Sequence, residues 1–208
     1  MNGNLWLKGS GDPSFGSDGV ALLADRIKAA GVKKVLGSVL GDEGFFDRMR
    51  GVPIFGGGYN WEIGGALSSL AFDHGESAKS AAATLTLALR HRGISVPKGH
   101  VGLGTAPVVA TTTATLRSPK IATLVGWTNR PSDNFYAEML LKLIGAIKGG
   151  AGTTNAGLKV ERTRLAGLNL HPTLYDGSGL SHDNKVRGTE VVRLLKAMAG
   201  NADFTASL

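Results

Sequence analysis

Arg130-Pro131-Ser132-Asp133-Asn134-Phe135-Tyr136-Ala137-Glu138-Met139 places a hydroxyl, a carboxylate and an amide at three consecutive positions, just after a proline and just before an apolar pattern of helical period. Proline biases the residue before it away from the α region. Arg130 is therefore expected to leave any preceding helix, and residues 132–134 to form a corner between two elements. In an extended corner Ser132 and Asn134 point the same way and Asp133 the other. Asp133 is then free to cap the N–H groups that open the next helix. Phe135, Met139, Leu143 and Ile147 recur at four-residue steps and predict that helix, with Lys142 and Lys148 off its apolar stripe or near its end. Taken alone, Ser-Asp-Asn reads as a capping cluster more often than as a functional site, and both readings stay open here.

Working toward the N-terminus, Val108 to Leu116 is rich in valine and threonine and is expected to be a strand, as is His100 to Gly104. Ser118-Pro119 opens a helix reaching about Thr128, since proline suits a first turn. Ser95-Val96-Pro97-Lys98 formally matches S-x-x-K, the spacing that sets a nucleophile and a lysine one helical turn apart. Pro97 falls between the two, Ile94 and Val96 favour extended chain, and Gly99 follows, so the match is read as a decoy. An alanine- and leucine-rich helix is expected from after Glu76 to about Arg92, with Gly93 ending it. Ile63 to Phe72 is apolar enough to be buried. Phe45 to Trp61 is loop-like, with Tyr59 and Trp61 either walling a substrate or covering a core edge.

At the start of the chain, Leu5-Trp6-Leu7 is a short strand running into the turn Gly9-Ser10-Gly11-Asp12-Pro13-Ser14. Neither phosphate-binding glycine pattern is complete there. Ser17 or Asp18 caps a helix carrying Val20, Leu23, Ile27 and Ala30, which Gly31 closes; Val32 to Leu40 is the next strand, ending at a Gly41-Asp42-Glu43 turn. Toward the C-terminus, Thr153 caps a helix through Leu158, Val160 and Leu165. His171 to Tyr175 is a short strand, and Asp176 to Asn184 is a second dense polar site that is not the G-x-S-x-G elbow. A last helix spans Thr189 to Ala199. These elements predict an α/β fold rather than a helical bundle, as do 31 glycines in 208 residues.

The chain has no cysteine, which excludes disulfides, thiolate metal sites and cysteine nucleophiles and fits an oxidising compartment. Five histidines show no ligand spacing, so no metal and no cofactor is expected. The net charge of +7 is diffuse, with no basic run interleaved with aromatics, so no nucleic-acid partner is expected; solubility or an anionic cell-envelope polymer explains it equally well. No apolar run is long enough for a transmembrane segment, and Met1-Asn2-Gly3-Asn4 does not resemble a signal peptide.

Taken in order, Asn4 to Ser14, Gly31 to Asp42 with Phe45-Phe46-Asp47, Arg92-Gly93-Ile94, Pro131 to Glu138, and Asp176 to Ser181 with Asn184 resemble the D-alanyl-D-alanine carboxypeptidase/endopeptidase family of penicillin-binding proteins, serine peptidase family S13. The resemblance implies an inserted α/β domain at about residues 1–110, then residues 111–208 as part of a β-lactamase/transpeptidase-like domain. Such enzymes use an S-x-x-K, a Ser-x-Asn corner and a K-T-G strand. Only the corner is found here, so the chain resembles an internal fragment expected to be inactive alone. By resemblance, an absent serine forms the acyl-enzyme and Ser132 relays a proton to the departing D-alanine amine. Asn134 would hydrogen-bond the substrate amide, Asp133 would support the corner, and Ser178, Gly179 and Leu180 would border the substrate. The implied partners are the peptidoglycan stem peptide and β-lactams, and the implied location is extracytoplasmic, in the periplasm or cell envelope. A non-catalytic cell-wall or partner-binding module is the alternative.

Overall fold

The computed structural model describes residues 3–97 and 99–208, so Lys98, the last residue of the S-x-x-K match, lies outside the described residues, as do Met1 and Asn2. By compactness the chain forms two units, residues 1–45 with 68–118, and residues 46–67 with 119–208.

The first unit is built on a parallel three-stranded sheet. Strands β1 (Leu5–Lys8), β2 (Val39–Asp42) and β3 (Val101–Leu103) lie in that spatial order, with Leu5 opposite Val39 and Val39 opposite Val101. Helix α1 (Ser17–Ala29) joins the first pair, and α2 (Ala78–His91) precedes the third strand. Parallel neighbours need such crossovers, which cover the sheet with apolar helix faces. Val20, Leu23, Ala24 and Ile27 of α1 and Ala78, Ala81, Ala82, Leu85 and Leu89 of α2 bury against Leu5, Leu7, Val35 and Val39. Gly41 is required where α2 crosses β2, because a Cβ there would lie 2.4 Å from the Ala78 carbonyl oxygen. The α/β expectation holds.

Three local expectations in this unit are corrected. The strand expected from Val32 is only Val39–Asp42, with one isolated bridge between Lys34 and Ser95. Asn4 Oδ1 takes the N–H of Ser38 at 2.8 Å, which removes that donor from any longer ladder. Residues 108–116 form no strand, and Val108 and Val109 are fully exposed; β-branched residues form strands only where a partner surface receives them. The α1 cap is neither Ser17 nor Asp18. Asp73 accepts from the Ser17 N–H at 3.0 Å and from the Ser17 hydroxyl at 2.7 Å.

The second unit is mainly helical, with α3 (Ile121–Asn129), α4 (Asn134–Lys148), α5 (Thr154–Ala166), α6 (Gly188–Met198) and α7 (Ala202–Ser207). Helix α4 packs on α5 through glycines. A Cβ on Gly157 would lie 2.2 Å from the Leu141 carbonyl oxygen and one on Gly145 2.7 Å from that of Thr153, so the two backbones approach closely. The expected strand from His171 to Tyr175 is reduced to one bridge, Thr173 to Lys185, and α7 was not anticipated. The stripe expected on α4 is half right. Phe135 and Met139 are buried, but Leu143 is half-buried and Ile147 exposed, while Glu138 and Lys142 lie fully inside.

Candidate functional site

The Ser132–Asn134 corner is a turn and not an extended segment. Arg130 keeps helical dihedrals, φ −61° and ψ −50°, although a proline follows it, so the last turn of α3 carries on past Asn129. The N–H of Asp133 then donates to the Thr128 carbonyl at 2.8 Å and that of Ser132 to the Asn129 carbonyl at 3.2 Å. This bond pair is the Schellman helix ending, which requires a left-handed residue at its penultimate position, usually glycine. Here that residue is Ser132, at φ +57°. A side chain in this region costs about 1 kcal/mol relative to glycine. Ser132 is exposed, so its hydroxyl is displayed to solvent from a backbone pinned on both sides.

One residue later a new helix starts. Asp133 Oδ1 accepts from the Tyr136 N–H at 2.8 Å, capping α4 as its sequence position suggests. Asn134 opens α4, and its Nδ2 donates to the Glu62 carbonyl at 3.0 Å, which draws residues 61–63 against the start of the helix.

Further along α4, one residue per turn makes a distant connection. Glu138 Oε1 accepts the N–H groups of Gly177 at 2.8 Å and Ser178 at 2.9 Å. Lys142 Nζ binds Asp47 Oδ1 at 2.6 Å and the Met49 carbonyl at 2.7 Å, fastening the segment that begins at Phe46. Burial is the main influence on both. It raises the pKa of the Glu138 carboxyl and lowers that of the Lys142 ammonium, while Asp47 pulls the latter back upward. Sequence reasoning missed both roles. The spacing of Asn134, Glu138 and Lys142 is the signal that could have found them, since it puts three polar residues on one helix face.

The 176–184 loop folds around a second buried carboxylate. Asp176 accepts from the Gly179 N–H at 2.9 Å, the Ser181 N–H at 2.6 Å and Asn184 Nδ2 at 2.8 Å. Asn184 Oδ1 in turn accepts from the Tyr175 N–H at 2.7 Å. Ser178 and Leu180 are half-buried, and Gly179 is exposed at φ +82°. One turn of α4 therefore separates the side chain that meets Glu62 from the one that meets Ser178. A shallow cavity lies between α3 and α7, and its lining includes Trp127, Arg130 and Asp203 but neither Ser132 nor Asn134. Among the described residues no group of three histidine, aspartate or glutamate side chains could hold a metal ion, and no helix is long and apolar enough to cross a membrane.

This chain belongs to the D-Ala-D-Ala carboxypeptidase 3 (S13) family, whose sequence profile matches residues 1–62 and 62–208. Among individual relatives, a D-alanyl-D-alanine carboxypeptidase of Actinomadura sp. is 40% identical over 123 residues, 56% of this chain and 22% of the relative. The fold is similar to the crystal structure of penicillin binding protein 4 from Haemophilus influenzae, with TM-score 0.79 at 17% identity over 96% of this chain and 62% of that one. The same protein complexed with a novel β-lactam matches with TM-score 0.72 at 17% identity, over 98% of this chain and 62% of that chain. The chain thus spans about a fifth of the curated relative's length and under two thirds of these structures.

Proposed function

We propose that this chain is part of a peptidoglycan D-Ala-D-Ala carboxypeptidase/endopeptidase that works through a serine acyl-enzyme. The observation that carries the reading is the corner itself. Ser132 stands exposed at φ +57° between two helices, in a conformation that costs energy, directly beside the capping Asp133 and the helix-opening Asn134. Strain of this kind concentrates at functional sites. Family membership supplies the chemistry.

In the complete enzyme a serine outside this chain attacks the carbonyl of the terminal D-Ala-D-Ala peptide bond. An ester forms, the C–N bond breaks, and the Ser132 hydroxyl passes a proton to the departing D-alanine amine. Asn134 donates a hydrogen bond to the substrate amide once substrate competes with the Glu62 carbonyl for its Nδ2. Asp133 holds the corner, and Ser178, Gly179 and Leu180 border the stem peptide. β-Lactams enter the same site, in keeping with the ligand of the Haemophilus influenzae protein. The reaction lies outside the cytoplasm, at the cell wall. Residues 1–110 serve as the inserted α/β domain, except that residues 46–67 fold in the same compact unit as Ser132 and go with 111–208 as part of the transpeptidase-like domain.

Fluorescent penicillin labelling tests this reading. The full-length gene product becomes covalently labelled, and the 208-residue chain, whose S-x-x-K match includes the exposed, extended Ser95, does not. Absence of label from the full-length product would favour a non-catalytic wall-binding module, and label on the 208-residue chain would reinstate Ser95.

A further inference from the structure

The proposed catalytic reading gives no role to Glu138, yet this is among the most constrained side chains in the second unit. It is fully buried, and Oε1 takes two successive backbone N–H groups of the loop that would border the substrate. Its other oxygen, Oε2, is buried and meets no donor among the described residues. A buried carboxylate with one bare oxygen is costly and stays in a core only where its other bonds outweigh that cost. The two bonds it makes leave Gly177 and Ser178 little freedom. Gly177 is also tightly placed, for a Cβ on it would lie 3.1 Å from the Leu141 side chain and 3.2 Å from the Ala137 carbonyl oxygen. The loop therefore rests directly on α4, one turn beyond Asn134.

We propose that Glu138 is a positioning residue that fixes the Gly177–Leu180 loop against the turn of α4 next to the Ser132–Asn134 corner, and so sets where that loop borders the substrate. The proposal rests on the catalytic reading of the corner. It assigns Glu138 no contact with substrate. What matters is an acceptor of glutamate length at Oε1. Burial raises the carboxyl's pKa and the hydrogen bonds from Ser178 and Gly177 pull it back down, so the glutamine variant tests whether the acceptor or the charge is what counts.

The test is the acylation rate of the full-length gene product with a fluorescent penicillin, read beside a thermal unfolding midpoint. Glu138→Gln keeps length and acceptor and is expected to acylate within about threefold of the unaltered protein. Glu138→Met keeps length and loses the acceptor, and it is expected to acylate at least about tenfold more slowly while still unfolding cooperatively. Rescue by glutamine but not methionine separates positioning from general packing. Wild-type acylation by Glu138→Met would overturn the proposal, as would Glu138→Gln acylating as slowly as the methionine variant. Should Glu138→Met not fold, Glu138→Asp decides: its shorter reach predicts slow acylation, and a wild-type rate would overturn the proposal. Ser132→Ala run in parallel keeps the two ideas apart. A normal rate for it removes the catalytic reading of the corner, whereas a slow rate beside normal Glu138→Met removes only the positioning role.

Discussion

Thr128 and Asp133 are joined by a 2.8 Å bond from the Asp133 amide to the Thr128 carbonyl, and the loop this closes holds Ser132 in the left-handed region. The end of one helix and the start of the next are thus made by the same few residues. Asp133 satisfies a carbonyl of α3 with its backbone and an N–H of α4 with its side chain.

Relief of that strain is measurable. Ser132→Gly in the 208-residue chain is expected to raise stability by about 0.5–1 kcal/mol, seen as a higher urea midpoint at unchanged slope. Ser132→Val, branched at Cβ, is expected to lower it by more than about 1 kcal/mol. Equal stability of the three proteins would show that the backbone at this position carries no strain.

The cap on α4 is separable from the strain beside it. Asp133→Ala is expected to cost about 1 kcal/mol, and Asp133→Asn, which keeps an acceptor oxygen, a few tenths. Urea unfolding of both variants checks this.

Lys142 fastens residues 46–49 to α4, and removing it leaves Asp47 facing a hole. Lys142→Ala is expected to destabilise by about 3 kcal/mol, the lower end of the range for a broken buried pair, because Asp47 keeps some solvent. In a double-mutant cycle with Asp47→Asn the losses should be less than additive. Full additivity would mean that the pair is not coupled.

Two carboxylates give opposite pH dependences. Glu190 accepts from the N–H groups of His171 at 2.8 Å and Arg187 at 3.0 Å, and these bonds hold its pKa below the ordinary carboxylate value. Its folded pKa lies below its unfolded one, so its contribution is present above about pH 4.5 and is lost as pH falls through the folded value. Glu138 has a raised pKa, so its contribution is full below the ordinary value and is lost as pH rises through the folded one. Thermal unfolding from pH 3 to 8 should show Glu190→Gln converging on the unaltered protein in acid. Glu138→Gln should converge there too, then overtake it as pH rises.

Much of this was legible in the sequence, for physical reasons that also explain the rest. Apolar period and glycine endings are local signals, so α1, α2 and α5 could be read directly, and so could the existence of a helix after Asp133. The α1 cap could not, because Asp73 lies 56 residues from Ser17. Lys142 and Glu138 were hidden because a charge on a helix normally marks its wet face, and only long-range partners reverse that. The junction of two helices at residues 132–134 could be placed from its composition, but its conformation could not. The bias against helix before proline is a preference, and the two bonds to Thr128 and Asn129 override it.

The central claim is that the Ser132 hydroxyl moves a proton in the acylation chemistry. The most direct test is the second-order rate of penicillin acylation of the full-length gene product carrying Ser132→Ala, with its unfolding midpoint measured alongside. The account predicts a rate lower by about 10²-fold or more, the usual range for removal of a proton-transfer group, with folding intact. Acylation within about threefold of the unaltered protein would contradict it and leave the corner as the junction of two helices and nothing more.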